Sequence, residues 1–301
     1  MAKKIPVILD TDIGTDIDDT WALVMMLRSP ELDVRLITTA TGDTTYRAKL
    51  VAKMLEVAGR TDIPVGIGPV TGGVDKTLDA WVADYDLDRY PGKIYHDGVD
   101  ALIRTIMTSD EPVTVIAIGP VPNLAQAIKR EPRICEKSRL VAMLGSVRKG
   151  YENNPEIVAE YNVKVCIPEC QVVFSSPWDI TITPVDTCGC IYLKDEKFQT
   201  IRNSNDPLLQ ALMENYRLWK ASPMGRALSF DCSRESSCLY DTVAIYLAFS
   251  QDLLGMERLG IRVDDEGYTR IDENAKKVHC ATTWKKLPAF EDFLVDRLTA
   301  H

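Results

Sequence analysis

The stretch VILDTDIGTDIDDTWALVMML, residues 7–27, constrains the fold more than any other. Apolar Ile5, Val7, Ile8 and Leu9 lead into Asp10, Thr11 and Asp12. Alternation along an extended backbone sets Asp10 and Asp12 on one face at the strand's carboxyl end. Ile13 and Gly14 open a turn, and a glycine there lets the backbone approach a bound group closely. Asp16, Asp18 and Asp19 then precede an almost wholly apolar helix from Trp21 to Leu27. Acids at a helix start satisfy free N–H groups and the helix dipole, so Asp16 or Asp18 can be read as a cap. That accounts for one or two acids, whereas five fall between positions 10 and 19. Converging carboxylates repel one another unless protons or a cation compensate them. Strand end, tight turn and helix start is also where open α/β sheets place their sites. The stretch therefore predicts a metal-centred polar site, with the acids of a surface loop as the plainer alternative.

Further along, residues 32–42 read as a second strand, 46–60 as a helix and 63–69 as a short strand. This rhythm argues for a parallel sheet with helices on both faces. Residues 81–98 are aperiodic and rich in aspartate and aromatics, which suits a loop able to cover a ligand. Helix is expected over 99–109 and buried strand over 112–119. A proline-opened helix follows over 120–130, with Asn123 capping or orienting it. Strand is expected again over 139–144 and 180–186, and helix over 168–176 and 203–220. Residues 263–271 read as a hairpin turn, followed by a strand over KKVHCATTW and a helix over 289–298. No repeat, linker or composition break divides the chain. The expectation is one domain over residues 1–301: an open, mostly parallel sheet flanked by helices, with a small antiparallel addition near the C-terminus.

The formal charge of −9 disfavours a nucleic-acid partner but leaves room for a small nucleotide-derived ligand. The start of the chain does not resemble a signal peptide, and no apolar run approaches the roughly 20 residues that span a bilayer. Eight cysteines read as reduced, mostly buried side chains of a cytoplasmic protein without membrane association. Two more polar clusters stand out. In NNPEIVAEYN (153–162), Asn154, Glu160 and Asn162 offer amides and a carboxylate that can match hydroxyls. Glu160 and Asn162 face together if the stretch is extended, and local asparagine caps are the alternative. In CSRESSCLYDTVAIYLAF (232–249), Asp241 precedes an apolar helical run as a cap or a ligand, and Tyr240 is core, cap contact or ligand contact.

Together DTDIGTDIDD, GPVPN, AEYN and LYDTVA resemble the inosine-uridine-preferring nucleoside hydrolases, in order from about residue 5 to 250. The resemblance implies a Rossmann-like fold and calcium-dependent cleavage of the N-glycosidic bond of ribonucleosides. It further implies a Ca2+ cofactor, a small-molecule ribonucleoside partner and a homodimer or homotetramer. By motif, Asp12 corresponds to the acid that touches calcium and takes the proton of the attacking water, and Asp10 to its hydrogen-bonding neighbour. Asp19, Asp241 and the main-chain oxygen of Pro122 correspond to further calcium ligands. Asp18, Asn154, Glu160 and Asn162 correspond to the groups that hold ribose.

The family pattern is Asp-x-Asp-Pro-Gly-x-Asp-Asp; here isoleucine replaces proline and two extra residues precede the last acid pair, so Asp16 can share the part of Asp18. Tyr240 stands where a histidine often assists the departing base, and a phenol is a poor imidazole substitute at its ordinary pKa of about 10. Asp43 stands where the family shows asparagine; it can alter metal binding, contact the base or point elsewhere. His96, within YHDG, is either a leaving-group contact or part of a loop. Residues 81–98 and 223–240 are expected at the base end. Two alternatives remain: a nucleoside- or pentose-binding homologue without turnover, and a haloacid-dehalogenase-type phosphatase with Asp10 as nucleophile and Mg2+ as metal.

Overall fold

The computed structural model describes residues 3–300. Its strands are β1 (Ile5–Thr11), β2 (Leu32–Thr39), β3 (Val65–Ile67), β4 (Ile94–Tyr95), β5 (Val113–Ala117), β6 (Ser138–Met143), β7 (Asp179–Thr183), β8 (Leu254–Val263), β9 (Thr269–Ile271) and β10 (Lys277–Trp284). They form one sheet in the order β4-β3-β2-β1-β5-β6-β7-β10-β8-β9. From β4 to β10 every neighbouring pair is parallel; β8 then runs antiparallel to β10, and β9 antiparallel to β8. The expected open sheet with a C-terminal antiparallel addition is the fold.

β1 lies at the centre because the chain winds outward through β2, β3 and β4 and then returns to place β5 on the other side of β1. Order reverses at that point, so the loops leaving β1 and β5 diverge and open a crevice at their carboxyl ends. Alternation along β1 then assigns faces. Val7 and Leu9 join the apolar layer containing α1 (Asp18–Leu27) and α2 (Thr44–Val57). Ile8 joins the opposite layer, containing α3 (Gly98–Thr108) and α4 (Pro122–Arg130). α1 is buried along nearly its whole length, which fits its lack of a polar stripe.

Local expectations differ from the structure at three places. Residues 81–98 do not cover the crevice: Trp81, Val82, Leu87 and Tyr90 are buried against the α1–α2 layer, since the aromatics that break periodicity there have core to fill. Asn123 is not a cap; Val121 precedes α4 without a side-chain cap, and the Asn123 amide reaches into the sheet. Glu160 and Asn162 do not lie on an extended segment: Glu160 caps the helical turn Tyr161–Lys164 through the N–H groups of Asn162 and Val163. A carboxylate ahead of free helix N–H groups favours the turn over the strand.

Candidate active site

The strand-end loop is folded around one buried cation. Arg47, on the apolar stripe of α2 beside Leu50 and Val51, is 1% exposed. Its guanidinium donates to the carbonyls of Asp12, Ile13 (2.8 Å) and Thr41 (2.8 Å) and to the Thr15 hydroxyl (3.0 Å). With its donors spent on carbonyls and the Thr15 hydroxyl, Arg47 shapes the Asp12–Thr15 turn without a salt bridge to any of the loop's acids among the described residues. Gly14 sits at φ +100° in that turn, and a Cβ there would strike Leu50 and Tyr46. Gly119, after β5, leaves space that the Asp12 carboxylate occupies.

Asp10 and Asp12 therefore part company. Asp10, still in β1, points with Ile8 toward α4, where it accepts hydrogen bonds from Thr38 and from the Asn123 amide (2.6 Å). Its second oxygen has no partner, and burial pushes its pKa up to about 7. Thr11, on the Leu9 side, donates to Asp19 at the start of α1. Asp12 lies past the strand and faces a cavity of about 240 Å³.

Asp12, Thr15, Asp16, Asp18 and Asp19 line that cavity along one side, and Asp241 joins them from a segment more than 200 residues away. Carboxylate oxygens of Asp18, Asp19 and Asp241 lie within 4.8 Å of one another. Neither Asp16 nor Asp18 caps α1: Ile17 holds the cap position, and Asp16 accepts from the Ile17 N–H (2.7 Å). Asp241 likewise precedes the helix Thr242–Leu247 without making a side-chain cap bond. These acids are withheld from helix capping and turned toward one another. Burial first, then mutual repulsion, raises Asp18, Asp19 and Asp241 well above the usual carboxylate range. Burial also raises Asp12, against the pull of Arg47, and brings Asp16 to about 6. Such a set fits a hard cation, because oxygen donors converge and their repulsion has no other relief than protons.

Glu160, Asn162, Ile118, Met143, Tyr151, Tyr161, Met224 and Tyr240 complete the lining. Glu160 is buried and accepts from the N–H groups of Gly145 (2.9 Å), Asn162 (2.7 Å) and Val163 (3.3 Å); burial still lifts it to about 7. Asn162 donates to the carbonyls of Ile118 and Met143, each at 3.2 Å. Tyr240 packs edge-on to Tyr151 with ring centres 6.0 Å apart, and burial drives its phenol far above the ordinary value.

Besides Asp10, four expected residues stand outside the cavity. Asp43 caps α2 at the Tyr46 N–H (3.0 Å) and pairs with Lys76 at 2.5 Å, which holds its carboxyl below the usual range. Asn154 is exposed and accepts from the Glu156 N–H (2.9 Å), a local turn contact. His96 is exposed beyond the edge strand β4, five strands' width removed in sheet order from β6. Pro122 is the first residue of α4, where its carbonyl enters the helix ladder, and Ile118 takes the place on the wall. Asp18, expected on ribose, lines the cavity and is also one of the acid trio. Sequence reasoning missed Thr15, Ile118, Met143, Tyr151, Tyr161, Met224 and the organising Arg47. For Arg47 a signal existed: a charge in register with the apolar stripe of its helix.

The profile of the inosine-uridine preferring nucleoside hydrolases matches residues 7–291. The chain belongs to this family. As a nucleoside hydrolase family member it is 28% identical over 306 residues to uridine nucleosidase 1 of Arabidopsis thaliana, covering 94% of this chain and 87% of that one. It is 31% identical over 231 residues to the pyrimidine-specific ribonucleoside hydrolase RihA of Escherichia coli O1:K1 / APEC, covering 70% of each. A plant nucleoside hydrolase superposes with a TM-score of 0.82 at 23% identity, over 99% of this chain and 100% of that chain. The inosine-uridine preferring nucleoside hydrolase of Bacillus anthracis does so at 0.78 and 18%, with the same coverage. These likenesses carry the fold. Membership of the nucleoside hydrolases makes the chain an enzyme of that class, which overturns the phosphatase alternative. Among the described residues no helix is long and apolar enough to cross a membrane, and all eight cysteines are free thiols.

Proposed function

We propose that this enzyme hydrolyses the N-glycosidic bond of ribonucleosides, releasing ribose and a free nucleobase, with Ca2+ as its metal. The carrying observation is the meeting of acids from two remote segments, Asp12 to Asp19 and Asp241, in one cavity faced by Glu160 and Asn162. Asp18, Asp19 and Asp241 would hold the ion, with Asp12 alongside, and the all-oxygen donor set suits calcium. Bound there, a divalent cation supplies positive charge that offsets the carboxylates and lowers the pKa of water.

Asp12 accepts the proton of the attacking water as the C1′–O bond forms. The C1′–N bond breaks, and its electron pair leaves on the base. Glu160 and Asn162 orient the ribose hydroxyls, so that binding energy away from the reacting bond is used in the transition state. Asp10 makes its contacts inside the sheet, which supports a supporting role rather than contact with substrate. Tyr240, in the cavity lining, carries a phenol that can donate a hydrogen bond toward the leaving base. Free thiols support a reducing, cytoplasmic setting. The family resemblance supports a homodimer or homotetramer, which light scattering will read.

The test is release of reducing sugar from a panel of purine and pyrimidine ribonucleosides with added Ca2+, repeated with Asp12→Asn. Metal-dependent release that falls at least about 10²-fold in the variant is expected. A folded protein that releases ribose from no nucleoside with any divalent ion refutes the reading.

A further inference from the structure

The mechanism leaves the C-terminal antiparallel strands without a task, yet one of them reaches the cavity wall. Thr269, the first residue of β9, is fully buried. Its hydroxyl accepts from the Ser146 N–H at 2.8 Å and donates to the Ser146 carbonyl at 2.8 Å, closing a two-point clamp across 123 residues of sequence. Next to Ser146 is Gly145, held at φ +83°, and a Cβ on it would lie 2.5 Å from the Thr269 hydroxyl. The threonine therefore packs directly on the glycine whose N–H donates to Glu160 at 2.9 Å.

The same turn is gripped from another side. Asp186 accepts from the N–H groups of Val147 (2.9 Å) and Arg148 (2.8 Å), and the Gly145 carbonyl accepts from the Val185 N–H (2.8 Å). Ser146 passes the order on: its hydroxyl donates to the Lys149 carbonyl (2.6 Å) and accepts from the Val158 N–H (3.0 Å), two residues before Glu160. The Ser146 hydroxyl thus ties together the two ends of the 146–158 loop, which carries Tyr151 onto the cavity wall, while the Ser146 peptide groups are held by Thr269. Asp186 fixes the far half of the turn and Val185 holds the Gly145 carbonyl, while Thr269 holds the N–H of that same peptide and, alone, the Ser146 carbonyl.

We infer that Thr269 is a positioning residue: through Ser146 it sets the Gly145 N–H on Glu160, making the antiparallel hairpin a working part of the ribose side of the cavity. This rests on the proposed role of Glu160 with ribose. Removal of the hydroxyl leaves buried Ser146 groups unpaired, and the turn must move to recover partners. Glu160 then loses the one of its three donors that comes from outside its own helical turn, and its orientation loosens. Affinity for ribose suffers, while the acid trio on the opposite side of the cavity is left intact.

The test compares wild type, Thr269→Val, Thr269→Ser and Glu160→Gln, measuring KM and kcat on the best nucleoside of the panel, inhibition by free ribose, and Ca2+-induced thermal stabilisation. Thr269→Val is expected to weaken ribose inhibition and raise KM about 5- to 10-fold, roughly the worth of one to two hydrogen bonds. Its Ca2+-induced shift should stay that of wild type. Thr269→Ser keeps both hydrogen bonds and is expected to restore KM to within about twofold. Unchanged ribose affinity in folded Thr269→Val overturns the inference, as does a Thr269→Ser enzyme as impaired as the valine variant. If Thr269→Val does not fold, Thr269→Ala is read by the same measures, and a Thr269→Ser enzyme with weakened ribose inhibition overturns the inference by itself. A wild type that releases no ribose, or a Glu160→Gln enzyme with unaltered KM, instead refutes the reading of the site on which the inference stands.

Discussion

The two sides of the cavity solve the same electrostatic problem in opposite ways. On one side, four buried aspartates and the half-buried Asp16 lie together, and the nearby cation, Arg47, has its donors engaged with carbonyls and a threonine hydroxyl. On the other, the single carboxylate Glu160 is equally buried but accepts three backbone N–H groups. Glu160 has its partners within the chain. The aspartate side is incomplete without positive charge from outside, and that incompleteness is what makes it a site.

The contrast is broken most directly at Asp241. Asp241→Asn removes one carboxylate from the trio and is expected to lower turnover by roughly 10³-fold, a loss of the size seen when a transition-state charge partner is removed. The metal-free protein should be no less stable than wild type by chemical denaturation, since the variant relieves repulsion. A marked loss of metal-free stability would show that Asp241 is a structural group instead.

A pH series on the metal-free protein tests the burial of Asp10 and Glu160. Both have folded pKa values raised to about 7, from 3.8 and 4.5 respectively. The folded state therefore holds protons that the unfolded chain has released. Their contribution is full below about pH 4 and is lost as pH rises through about 7, so the metal-free protein should be less stable at pH 7.5 than at pH 5. Between these two pH values the difference is on the order of 2.5 kcal/mol for Asp10 alone. Stability that rises over this window would contradict the assignment.

Ca2+ should offset that loss on the aspartate side. At a free concentration a hundredfold above its Kd it adds about 3 kcal/mol, a rise in Tm of roughly 5 °C that chelation reverses. Asp241→Asn should lose most of that rise, and Glu160→Gln should keep it. The smallest effect belongs to Asp43, outside the cavity. Asp43→Ala removes a helix cap and should cost about 1 kcal/mol of stability while leaving kcat/KM unchanged; a change in substrate preference would return it to the site.

Much of this protein was legible from local pattern. Alternating and helical periodicity depends on neighbours a few residues apart, so β1, the apolar α1 and the later strand and helix segments could be assigned from sequence, as could the acids between them. The pairing of residues 12–19 with 160–162 and 241 came from motif resemblance, because spacing alone says nothing about elements 100 or 200 residues apart. Tertiary structure alone decided which way each acid turned. Asp10 and Asp12 share a parity in sequence, yet the strand ends between them, so one enters the sheet and the other faces the cavity. Asn154, His96, Asp43 and Pro122 sit beside or within motifs but outside the cavity, since a loop side chain is aimed by packing that no short window contains. The same reason hid Arg47 and Thr269: their partners are carbonyls and amides, groups every residue carries, and only the folded chain chooses among them.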